Sequence, residues 1–170
     1  MAPNLAWASN ITSIKANGKW HYLCIVMNLF SRKVISWHIC DNANAVLVIT
    51  AFPKAYDKRP PYGLIFHSDQ GTPYTSYAFR QLLDSLHVVQ SFSKKGYPFV
   101  NACCECFFKY LKKEQTNRKC YSSLKELQLS ILEYMEGYYN SKRPHITLGM
   151  LTPSEAEALY WEQNASFSLG

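Results

Sequence analysis

Residues 20–29 read Trp-His-Tyr-Leu-Cys-Ile-Val-Met-Asn-Leu, a run with almost no polar break. Such a run belongs in the middle of a sheet that is covered on both faces. It is well short of the roughly 18 apolar residues of a membrane span, and no longer apolar run occurs. The flanking segments supply its neighbours. Residues 7–14 form a short strand, and Ala16-Asn17-Gly18 offers a turn into the apolar run. Ser31-Arg32 turns the chain again, and residues 34–40 make a third strand. Two short connections in succession predict an antiparallel meander.

Helical patterns then alternate with short strands. Asp41-Asn42 offers a cap for a helix over 43–56, which Pro53 should end or kink. A fourth strand covers 64–67 and runs into Ser68-Asp69-Gln70-Gly71. Phe79, Leu82, Leu83 and Leu86 repeat at helical spacing within 76–87, and a fifth strand covers 87–92. Asn101 is expected to cap a helix running to about residue 114, with Cys103, Cys104, Phe107, Phe108 and Leu111 on its buried side. A last helix begins near Ser122-Ser123, with an apolar stripe of Leu124, Leu127, Ile131, Leu132, Met135, Tyr138 and Tyr139. This order predicts a layered α/β domain with a mixed sheet.

Composition narrows the function. Hydrophobic residues make up 48% of the 170, which excludes intrinsic disorder as the main state. The net charge of +6, with 15% aromatic residues, suits a polyanionic partner. The N-terminus lacks the pattern of a secretory leader, so the six cysteines are read as cytosolic thiols. Cys103-Cys104-Glu105-Cys106 invites a zinc reading, but no second knuckle accompanies it, and buried thiols are the better reading.

Two carboxylates carry the chemistry. Asp69 follows the fourth strand in a polar, glycine-containing stretch, where an open α/β sheet presents functional groups. Taken alone, it reads better as a turn residue bonded to its own backbone. Glu105 shares a helix face with Lys109 and Lys112, which suits a phosphodiester laid across it; a solvated Glu–Lys pair is the bland alternative. Lys94 and Lys95 lie in the preceding loop and read as DNA contacts or as a solvated basic loop. His67 reads as a partner of Asp69 or as a strand-end residue bonded to backbone. Arg143 and His145 read as phosphate contacts or as packing that pins the C-terminus.

The combination is more specific than its parts. His67-Ser68-Asp69-Gln70-Gly71 is followed, after 35 intervening residues beyond Asp69, by Glu105, Phe107-Phe108, Leu111-Lys112 and Glu114. With Asn10-Ile11-Thr12, Leu29-Phe30-Ser31-Arg32, Tyr138-Tyr139-Asn140, Arg143-Pro144-His145 and Thr152-Pro153, this resembles the integrase core of DDE insertion-sequence transposases. The resemblance spans about residues 7–155 and implies a single ribonuclease H-like domain with a C-terminal tail over 156–170. The implied fold is a five-stranded sheet of order 3-2-1-4-5 with helices on both faces. The first three strands would be antiparallel and the others parallel to the first.

The resemblance also implies a mechanism. Three carboxylates hold two Mg²⁺ (or Mn²⁺) ions for DNA cleavage and strand transfer. Asp69 and Glu105 match the second and third acids, and the first falls on Asn10. An amide cannot bridge two divalent ions as a carboxylate does. Asn28 and Val100 also stand where the family commonly has Asp, which fits a decaying element copy. The expected function is transposase core activity impaired at Asn10; the alternative is a catalytically dead DNA-binding or assembly module. The implied partners are transposon ends, target DNA and further copies of the chain, in a cytoplasmic, nucleoid-associated setting. The helical DNA-binding region that precedes this core in full-length relatives is expected to be absent.

Overall fold

Asn17 and Gly18 both take positive φ, 47° and 72°, the geometry of a tight hairpin turn. That turn joins strand β1 (Ala6–Ala16) to β2 (Lys19–Asn28) in unbroken antiparallel register, with Asn10 opposite Ile25. A second turn passes through Arg32, also at positive φ, into β3 (Val34–Cys40). The computed structural model describes residues 1–93 and 101–165.

Helix α1 (Ala45–Lys58) leads to β4 (Ile65–Ser68), and the short α2 (Thr72–Thr75) and α3 (Tyr77–Ser85) lead to β5 (Val89–Phe92). Then come α4 (Asn101–Glu114), α5 (Leu124–Tyr134), a π-helical turn (Met135–Tyr139) and α6 (Pro153–Ala165). The sheet order is β3-β2-β1-β4-β5, with β4 and β5 parallel to β1, as expected. This is the ribonuclease H-like architecture that the resemblance implied.

The pleat sorts the core into two clusters. Ala8, Ile14, Leu23, Ile25 and Met27 pack with Phe107, Leu111, Leu127 and Ile131 on the side of α4 and α5. Trp7, Cys24, Val26 and Ile35 pack with Leu47, Phe52, Phe66 and Phe79 on the side of α1 and α3. Leu23 to Met27 are therefore buried on both faces, the physical reason for the apolar run.

Several local expectations are corrected. Asn44, not Asp41-Asn42, caps α1 by accepting from Val46 N. Pro53 does not end α1, although it removes an N–H and costs about 3 kcal/mol in a helix interior. Burial of Leu47, Val48, Ala51, Phe52 and Ala55 holds the helix, and each large apolar side chain contributes about 1.5–3 kcal/mol. Asn101 is the first helical residue of α4, and its Oδ1 is buried without a partner among the described residues. The π-helical turn shifts the stripe beyond α5. Met135 and Tyr139 enter the core and Tyr138 faces solvent, while within α5 Tyr134 is buried and Leu132 is exposed. Residues 156–165, expected as tail, continue α6.

The cysteines divide. Cys24 and Cys104 are fully buried, and burial pushes the Cys24 thiol up to about 11. Cys40 and Cys103 are half-buried, whereas Cys106 and Cys120 are exposed, which corrects the reading of all six as buried.

Candidate active site

The last registered pair of β1 and β4 is Ala8 with His67. Asn10 and Asp69 each lie two residues further on, so the parallel register brings both to the same end of these adjacent strands. Pleating places Asn10 on the face of Ala8 and Ile14, the face that α4 covers. Asn10 is half-buried, and its Oδ1 accepts from Ile11 N at 2.9 Å.

Asp69 forms the turn bond that its local sequence suggested. Its Oδ1 accepts from Gly71 N at 2.8 Å. A Cβ at position 71 would stand 2.8 Å from that oxygen, so glycine permits the close approach. His67 matches neither of its expected roles. Its Nδ1 lies 3.0 Å from Ser91 Oγ and its Nε2 lies 2.9 Å from Ser93 Oγ, which ties β4 to β5 by side chains. Burial holds the imidazole below its ordinary pKa and keeps it neutral near pH 7.

Glu105 sits in the second turn of α4, between buried Cys104 and Phe108, with its own side chain exposed. Lys109 is exposed one turn on, and Lys112 is half-buried. Burial pushes the Lys112 ammonium below its usual value. The ion pairs among the described residues join His21–Asp41, Lys33–Glu157, Arg59–Glu157, Lys119–Glu133 and Arg143–Glu114. Glu105 and Lys109 take part in none of them. Lys94, Lys95 and Val100 lie outside the described residues.

A two-ion centre asks for more anionic oxygen than this donor set offers. The residues supply two carboxylates and one amide, and Asn10 Nδ2 can only donate. Among the described residues, no group of three or more His, Cys, Asp or Glu side chains is placed to hold a metal ion. The set does not fit a pair of divalent ions.

Arg143, Tyr139 and Asn140 make structural contacts. Arg143 forks onto Glu114 at 2.8–3.2 Å and stacks over the Tyr110 ring at 3.7 Å. Tyr134 OH donates to the same carboxylate at 2.6 Å. Asn140 brackets Val34, accepting from its N–H and donating to its carbonyl, both at 3.0 Å. Tyr139 OH donates to Arg32 O at 3.1 Å. These bonds hold the β2–β3 turn against the π-helical turn.

Sequence reasoning missed Glu157. This α6 carboxylate is 6% exposed. It accepts from Asn28 Nδ2 at 2.9 Å, Ser31 Oγ at 2.7 Å, and both terminal nitrogens of Arg59 at 2.8 and 2.9 Å. Thr152-Pro153-Ser154-Glu155 could have announced its helix. Thr152 Oγ1 accepts from Glu155 N, and Glu155 Oε2 accepts from Thr152 N, a reciprocal capping box with Pro at the first position.

Two families, each described as Integrase core domain, match residues 1–98 and 86–153. The transposase for insertion sequence element IS904 of Lactococcus lactis subsp. lactis is 36% identical over 157 residues, 92% of this chain and 62% of that protein. The putative transposase InsK for insertion sequence element IS150 of Escherichia coli is 36% identical over 154 residues, 90% of this chain and 54% of that protein. The chain thus spans little more than half the length of these relatives. The HTLV-2 integrase catalytic core domain, solved with magnesium in a trimeric form, shares the fold at TM-score 0.64 and 19% identity. That match covers 92% of this chain and 98% of the other. With the family match over most of its length and insertion-sequence transposases as its relatives, this chain belongs to the integrase core domain family.

Proposed function

We propose that the chain is the core domain of an insertion-sequence transposase that acts on DNA and is impaired in cleavage and strand transfer at Asn10. What supports this reading is the β1–β4 register, which runs Asn10 and Asp69 toward the same end of adjacent strands, with the helix of Glu105 packed against β1. In this reading Asp69 and Glu105 are the remaining anionic positions of the catalytic site, and Asn10 is the neutralised one. Mg²⁺ or Mn²⁺ binds weakly, because ligand charge count governs affinity for hard cations. Lys94, Lys95, Lys109 and Lys112 contact DNA phosphates, which needs no metal. The transposon ends and target DNA, assembly with further copies, the single core domain and the nucleoid-associated cytoplasmic setting belong to the same reading.

A second reading, a catalytically dead DNA-binding or assembly module, is favoured by Asn10 itself. One experiment separates the two. Preprocessed oligonucleotide ends are joined to target DNA with Mn²⁺, using the chain and its Asn10→Asp form, while calorimetry follows Mn²⁺ binding. The reading expects tighter Mn²⁺ binding and a gain in joining of about a thousandfold in Asn10→Asp, the equivalent of roughly 4 kcal/mol of transition-state stabilisation. Joining absent from both forms despite DNA binding supports the dead module. Equal joining by both forms removes Asn10 from the site.

A further inference from the structure

A cavity of about 720 Å³ opens between the first turns of α4, the π-helical turn and residues 144–150. Its walls include Ala102 and Cys106, the residues that flank Glu105 on the helix, so it adjoins the candidate site without containing it. Its chemistry is one-sided. Arg32 and Arg143 line it, and no aspartate or glutamate does. Arg143 is already neutralised by Glu114, but Arg32 enters none of the ion pairs among the described residues. The cavity therefore keeps one uncompensated guanidinium beside apolar and aromatic walls.

Its floor has a second unmet requirement. His145 is 8% exposed, and its Nε2 is buried with no hydrogen-bond partner among the described residues. Burial, aided by Arg143 and Arg32, holds this imidazole below its ordinary pKa, so it stays neutral. At the mouth, Met150 is 60% exposed, and its flexible thioether can adapt to a planar face. A volume of this size lies within the range of sites that enclose a small organic ligand, about 300–1,000 Å³.

We propose that this cavity is a subsite for one unpaired nucleotide of the DNA strand crossing the candidate site, an assignment that rests on the DNA-acting function proposed above. The exposed side chains of Met150 and Ile146, both lining the cavity, provide the apolar surface for the base. Arg32 takes the phosphate, for which a guanidinium is the matched cation. Base stacking on side chains tolerates any sequence, so the subsite selects an unpaired nucleotide rather than a particular base. A duplex with all of its bases paired cannot fill it, because the base must first leave its stack. The shared ligand chemistry is that of a nucleotide, and the strand rather than a free mononucleotide is the source.

Cys106 makes this directly testable, because it is exposed and lines the cavity, whereas exposed Cys120 does not line it. The full chain is alkylated with iodoacetamide, and mass spectrometry follows Cys106 against Cys120. The additions are a blunt duplex, the same duplex with a single-stranded 3′ extension, and dAMP at equal concentration. The extended duplex should slow Cys106 relative to Cys120 by about tenfold at about nine-tenths occupancy. Blunt duplex and dAMP should leave the ratio unchanged. Arg32→Gln and, separately, Met150→Glu should remove the protection while duplex binding persists. Equal Cys106 rates with bound blunt and bound extended duplex would overturn the subsite. Protection by dAMP alone would overturn the strand as its source. Failure of every DNA to bind would overturn the DNA-acting function itself and the subsite with it.

Discussion

Glu157→Ala should be the most destabilising single change at the C-terminal helix. Apart from Glu157, the buried residues of α6 are only Pro153 and Ala156, so apolar packing contributes little there. The carboxylate instead joins α6 to the β2–β3 turn through Asn28 and Ser31, and to the end of α1 through Arg59. Removing one partner of a buried charge pair costs about 3–5 kcal/mol. The side chains of Arg59 and Lys33 are each 23% exposed and can turn to water, which favours the lower end. Asn28 is fully buried, and its stranded amide adds to the loss, since an unmet buried donor costs about 1–3 kcal/mol. The expected total is about 4 kcal/mol, or a fall in Tm of roughly 8–16 °C for a domain of this size. Urea unfolding at pH 7 measures the free energy, and hydrogen exchange over 153–165 reports release of the helix. The anchor also has a pH signature. Burial pushes the Glu157 carboxyl up, but hydrogen bonds from Arg59 and Ser31 outweigh this and hold it below its ordinary value. Its contribution is therefore complete above the unfolded-state pKa and is lost as pH falls through the lower folded value. A loss below about 1 kcal/mol, the scale of an exposed ion pair, with unchanged exchange over 153–165 would refute the anchor.

Glu114→Gln should cost about 2 kcal/mol, because the Arg143 fork and the Tyr134 hydroxyl both donate to a charged acceptor. Burial raises the Glu114 carboxyl, yet Arg143 and Tyr134 bring it below its ordinary value. Acid unfolding below about pH 4.5 should accordingly flatten in the Gln form, which a pH series of urea midpoints checks. Replacing Lys109 and Lys112 together by Ala should lower the slope of log affinity against log salt on duplex DNA by up to about 1.8, near 0.9 for each phosphate contact. Fluorescence anisotropy over a salt series measures it, and an unchanged slope with intact circular dichroism would place the DNA path elsewhere.

The placement of Asp69 after a strand and of Glu105 on a helix was legible because it depends on local facts. Asp69 had to follow a buried strand, and Glu105 had to share a helix face with Lys109. The Asp69 turn bond was legible too, because the geometry is set within three residues. His67 was not, since its partners Ser91 and Ser93 reach it only once β5 lies beside β4. Arg143 was ambiguous for the same reason. A guanidinium fits phosphate and carboxylate alike, and only folding decided that Glu114 would be the one within reach.

The sequence by itself determined the central strand, the hairpin at Asn17-Gly18 and the order of strands and helices. These follow from unbroken apolarity, from residues that tolerate positive φ, and from the periodicity of apolar positions, all properties of contiguous residues. Tertiary structure decided which polar groups are buried and what neutralises them. Glu157 reads as an ordinary surface acid until Asn28, 129 residues away, donates to it. Asn28 reads as a missing acid until the same contact makes it a donor. Burial gives such groups their energetic weight, and burial depends on distant segments meeting, which no local pattern encodes.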